Sequence, residues 1–161
     1  MFEVNTALVG LGAIAAFGLS ATGSAIGCGL AAASAVGSWK RCYVQGKSAP
    51  FQLTIFAGAP MTQTIYGLIL MLQVLTMDPV LWPAAIGIGF LCGTAIGFSA
   101  IYQGRAGAGA CDAFSETGKG FANDLIALGV VETIAIFTMV FAMMFKSNLT
   151  AQLAATAASA L

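Results

Sequence analysis

The sequence predicts an all-α membrane protein of four transmembrane helices arranged as two tandem hairpins. Three observations predict it. Of 161 residues, 59% are apolar and only 7% are charged, against about 25% charged in a soluble domain. Four apolar runs are long enough to cross a bilayer. A glycine-rich pentapeptide of the first run recurs in the third. So few charges could not cover a water-facing surface, and lipid is the solvent that fits. Six basic and six acidic residues give no net charge, so a nucleic-acid-binding reading has no support. The sequence contains no His, which removes the commonest transition-metal ligand and general base.

A helix needs roughly 20 apolar residues to cross the hydrocarbon. The first run, about Asn5 to Val36, carries no charge. No basic n-region precedes it, so it is expected to stay as a helix rather than be cleaved. The second run, about Phe51 to Met77, is also uncharged. The third extends from about Pro83 to Ile101, and the fourth, about Leu125 to Phe145, contains Glu132. In lipid every backbone group must be bonded internally, and four spans are too few for a barrel, so the runs must be helical. The Ala-rich, uncharged tail from Ser147 to Leu161 either extends the fourth helix or lies along the surface.

The loops divide by charge. Residues 38–50 hold Lys40, Arg41 and Lys47, and residues 104–123 hold Arg105 and Lys119. By the positive-inside rule these loops face the cytoplasm and both termini face outward. The four cysteines, Cys28, Cys42, Cys92 and Cys111, have no C-x-x-C spacing and read as small apolar filler.

Gly23-Ser-Ala-Ile-Gly27 recurs as Gly93-Thr-Ala-Ile-Gly97, and Gln63-Thr64-Ile65 as Glu132-Thr133-Ile134. Duplication of one hairpin accounts for this and divides the chain into residues 1–80 and 81–161. The first copy carries Gln63 where the second carries Glu132. Small residues four apart let helix backbones approach closely. The glycines of the odd-numbered helices fit either the inner wall of a ring of copies or packing within one chain.

A carboxylate at the bilayer centre costs roughly 2.5–3.5 kcal/mol on insertion scales. No basic residue lies in the apolar runs to pair with Glu132. Glu132 must therefore be protonated, hold a cation or meet a charge from another chain, which makes it the candidate functional residue. Thr62, Gln63 and Tyr66 share a face of the second helix, because residues three and four apart stack on one side. Ala59 joins that face one turn earlier, beside Pro60, whose missing N–H frees a carbonyl. Gln103 lies at the cytoplasmic end of the third helix, where the first copy has Ala33. One carboxylate, a hydroxyl, two amide oxygens and a backbone carbonyl form an all-oxygen set suited to a hard monovalent cation such as Na⁺. A proton would need only the carboxyl and an acceptor. Asp124, eight residues before Glu132, is expected to cap the helix or sit at a hydrated rim.

On these residues the chain resembles the proteolipid (K or c) subunit of V-type ATPases, the four-helix type that forms the rotor ring. The resemblance covers about residues 5–146. It rests on the duplicated Gly-rich hairpin, Pro60-x-Thr62-Gln63-x-x-Tyr66-Gly67, Tyr102-Gln103-Gly104 and Val131-Glu132-Thr133. It implies a non-catalytic protein that joins identical copies in a ring. The ring turns against a stator membrane subunit with an arginine, and an ATP-hydrolysing head drives it through a central-stalk subunit. In sodium-transporting bacterial members, residues matching Thr62, Gln63, Gln103 and Glu132 bind the ion with the carbonyl matching Ala59. A tyrosine matching Tyr66 bonds the glutamate. The resemblance thus implies a Na⁺-coupled rotor in a bacterial plasma membrane, with H⁺ coupling as the alternative. A small four-helix cation-coupled antiporter and a passive pore-forming proteolipid are the rival readings.

Overall fold

The computed structural model describes residues 2–159, and every regular element among them is helical. Four helical rods are each long and apolar enough to cross a membrane. The first is a single helix, α1 (Phe2–Val44). The second consists of α2 (Gln52–Gly58), a 3₁₀ turn (Ala59–Met61) and α3 (Thr62–Val74). The third starts with a 3₁₀ turn (Pro79–Leu81) and α4 (Trp82–Gly87). It then passes through a π-turn (Ile88–Cys92) into α5 (Gly93–Thr117). The fourth is α6 (Phe121–Ser159).

The spans fall where the apolar runs predict, and three of the four rods run past them, whereas the second, Gln52–Val74, ends short of Met77. Residues 38–50 are not all loop: α1 continues to Val44, and the connection proper is residues 45–51. Likewise residues 104–123 are mostly helix, with α5 reaching Thr117 and a connection of Gly118–Gly120. Charges mark the edge of the hydrocarbon, not the end of a helix. Lys and Arg are good helix formers, and Arg41 is paired. Arg41 Nη2 donates to Asp112 Oδ1 at 2.5 Å, and Arg41 Nη1 bonds Glu116, tying the projecting ends of α1 and α5 together. Gly118 ends α5 in the left-handed region (φ 64°), with its N–H on the Phe114 carbonyl at 2.8 Å. Trp39 Nε1 donates to the Pro50 carbonyl at 3.0 Å and draws the first connection back onto α1. The tail continues α6 through Ser159.

α1 and α5 pack against each other along their length, with α3 against α1, α6 against α5, and α3 touching α6. Glycine makes the central contact. A Cβ at Gly23 would fall inside the backbone of Gly97, and one at Gly27 would meet the Ala100 carbonyl. One at Gly104 would in turn strike the backbone of Gly27. The repeated small residues therefore pack within one chain. Gly10, Gly18, Gly29 and Gly37 have no such neighbour and line the outside of α1. Large apolar side chains cover the exterior, among them Leu11, Ile14, Leu72, Leu91, Phe98, Ile126, Val130, Phe141 and Phe145. An exposed apolar surface this extensive suits lipid, not water.

Candidate ion-binding site

The polar side chains predicted to act together do converge. The second rod brings three oxygens side by side at its break. Pro60 offers no N–H, the chain tightens to a 3₁₀ turn, and the Ala59 carbonyl turns toward Thr62. Thr62 Oγ1 donates to that carbonyl at 3.1 Å and lies 3.2 Å from Gln63 Oε1. Gln63 is fully buried, and its Nε2 donates to Gln103 Oε1 at 2.8 Å. Gln103, also fully buried, reaches α6 with its own Nε2, 3.1 Å from the Leu128 carbonyl and 3.3 Å from Glu132 Oε2. Tyr66 closes the circuit from the other side, its hydroxyl donating to Glu132 Oε1 at 2.7 Å. Ala59, Thr62, Gln63, Tyr66, Gln103 and Glu132 thus form one continuous hydrogen-bonded group.

Amides and hydroxyls satisfy this group from within the protein. The carboxylate accepts from two donors, and such bonds to charged groups are the strong ones. The resulting site is a single negative charge surrounded by neutral oxygens and amide groups, with no cation of its own among the described residues. It can hold one positive charge and be neutral overall.

Two features are additional to those the sequence predicts. Ser99 is nearly buried, and its Oγ donates to the Val131 carbonyl at 2.8 Å, one residue before Glu132. It lies one helical turn before Gln103 on the same face, and that i, i+4 spacing was the available signal. The Leu128 carbonyl is the second feature. It accepts from Gln103 and so joins α5 to α6 one turn before the carboxylate. Asp124 lies in the first turn of α6, where a helix-end carboxylate is expected; the residue is half-buried, with its Oδ2 enclosed and without a hydrogen-bond partner among the described residues. The packing of Phe56, Phe114 and Phe121 nearby, with centroids 5.5–6.2 Å apart, keeps that end of the bundle apolar.

Fold and site together define an integral, multi-pass membrane protein with one carboxylate in a polar cage within its fourth span. Residues 86–145, a little over a third of the chain, match the family model for the C subunit of ATP synthase. The match covers the second hairpin from α4 into α6 and contains Ser99, Gln103 and Glu132. That family is one of non-catalytic, ring-forming proteolipids. No curated protein matches the sequence.

Proposed function

We propose that the chain is the ion-carrying rotor-ring subunit of a V-type rotary ATPase and that it carries Na⁺ at Glu132. The observation that carries this reading is the convergence of Ala59, Thr62, Gln63, Gln103 and Tyr66 on one carboxylate inside the membrane. The match to the C subunit of ATP synthase supports the ring role. The four-helix chain with a single carboxylate favours the V-type form.

Glu132, Gln63 Oε1, Thr62 Oγ1 and the Ala59 carbonyl supply oxygens to the ion. Gln103 offers Nε2 to Glu132, so its amide would turn to add a fifth. Tyr66 keeps the carboxylate oriented by its hydrogen bond. With the ion bound, the site is neutral and can face lipid. With the ion released, the bare carboxylate is costly there and must face a hydrated path or a stator arginine. That energy difference couples rotation to transport. Identical copies, the stator and a central stalk are the partners, and ATP is hydrolysed elsewhere in the complex.

Proton coupling is the second reading, and one observation favours it: Gln103 presents a nitrogen, not an oxygen, to Glu132. Carbodiimide modification of Glu132 in the purified oligomer separates the two. Protection by Na⁺ but not by K⁺ is expected. Protection that follows pH alone and ignores Na⁺ would replace sodium with protons. If Glu132→Gln retained ATP-driven transport, both readings would fail.

A further inference from the structure

Lys146 lies on α6 at the end of the bundle opposite the charged connections. Its ammonium donates to Thr76 Oγ1 at 2.6 Å and to Gln73 Oε1 at 3.1 Å, and it makes no ion pair with any carboxylate among the described residues. The nearby turn contains Asp78, whose Oδ1 accepts from the Val80 N–H at 2.9 Å and which forms no ion pair with Lys146. Two neutral oxygens hold the ammonium in place and leave its charge uncompensated. Around it lies a notch of about 670 Å³ between the end of α3 and the extension of α6, whose lining includes Met143, Ser147 and Thr150.

The depth of this notch identifies its occupant. Lys146 is fourteen residues beyond Glu132 on an unbroken helix, or about 21 Å at the α-helical rise. The hydrocarbon half-thickness is about 15 Å. With Glu132 near the midplane, Lys146 falls at the level of lipid phosphates. Met143, about one turn before Lys146 on α6, gives the notch an apolar lining on the side of the bilayer interior.

We propose that this notch binds the phosphate of an anionic phospholipid headgroup, with Lys146 as the charge partner and Gln73 and Thr76 as the groups that aim it. An anionic headgroup is favoured over a zwitterionic one because it brings no ammonium to compete with Lys146. The proposal depends on membrane insertion and not on what Glu132 carries.

The test uses the intact oligomer purified from membranes and reconstituted in phosphatidylcholine vesicles containing a minor fraction of phosphatidylglycerol. Phosphatidylglycerol retained per chain after re-extraction is counted by mass spectrometry. Lys146→Gln should lower retention roughly fivefold, the effect of removing one lysine near an anionic surface. Lys146→Arg should retain it, Ser147→Glu should expel it by repulsion, and Glu132→Gln should leave it unchanged. Excess inorganic phosphate should not displace the lipid. Equal retention by Lys146→Gln and the unaltered chain would overturn the proposal, as would displacement by inorganic phosphate, which would indicate a free-anion site. If Lys146→Gln does not assemble, Ser147→Glu and Lys146→Arg decide it. A loss of transport in Glu132→Gln without loss of lipid keeps this result separate from the rotor reading.

Discussion

Along α1 and α5 the contact is backbone against backbone, with Gly23, Gly27, Gly97 and Gly104 leaving no room for a side chain between the helices. Where α6 meets the rest, only Leu128, Ala135 and Ala142 are buried among its described residues. Phe121, Met139 and Met143 add partly buried apolar contacts, and the other attachments are polar: Ser99 to Val131, Gln103 to Leu128 and Glu132, Tyr66 to Glu132, and Lys146 to Gln73 and Thr76. One seam is backbone against backbone, and the other combines a few apolar side chains with a few hydrogen bonds. Packing of that first kind is intolerant of added volume, whereas hydrogen bonds between membrane helices average about 0.6 kcal/mol and reach about 2. The helix carrying the carboxylate is therefore the one most easily adjusted without disturbing the scaffold.

This contrast can be broken at five points, in descending order of effect. Gly97→Val should abolish the assembled protein, because the new side chain would enter the α1 backbone. Recovery of folded oligomer from detergent extracts measures it, and normal recovery would mean the seam is looser than described. Glu132→Gln should leave that recovery intact while transport falls to background, read as ion uptake into vesicles driven by the whole complex. Gln103→Ala should weaken cation protection of Glu132 against carbodiimide about a hundredfold, since a buried amide and its bonds on both sides are lost together. Tyr66→Phe removes one bond to a charged group, worth about 1.5 kcal/mol, and should shift the same curve roughly tenfold. Ser99→Ala touches only the Val131 carbonyl, and about 0.6–1 kcal/mol predicts a three- to fivefold shift, with Ser99→Thr restoring it. If Ser99→Ala instead abolished assembly, α6 would belong to the scaffold.

Much of the fold was legible because lipid restricts the choices so strongly. Four apolar runs with no basic residue inside them leave only helices, and three of the four rods contain their runs, the second ending at Val74. The polar cage was legible for the same reason: in an apolar run each amide or carboxylate stands out, and Gln63, Gln103 and Glu132 meet as their helical faces require. Helix ends were not legible. The bilayer edge does not stop a helix, and the pairing of Arg41 with Asp112 and Glu116 across two helices leaves no local mark. Ser99 was missed because a single hydroxyl in a small-residue helix looks the same whether it bonds its own turn or another helix.

The π-turn at Ile88–Cys92 bears on how the two halves of the sequence relate. Ala15-Ala-Phe-Gly18 aligns with Ala84-Ala-Ile-Gly87 at an offset of 69, yet Gly23 aligns with Gly93 at 70. One additional amino acid has entered the third rod between those two stretches, and the wide turn is where the helix absorbs it. Without that widening, everything downstream would be rotated by about 100°, carrying Gly93 and Gly97 off α1 and Gln103 away from Glu132. The bulge is the seam at which a copied segment accepted a length change without losing its facing.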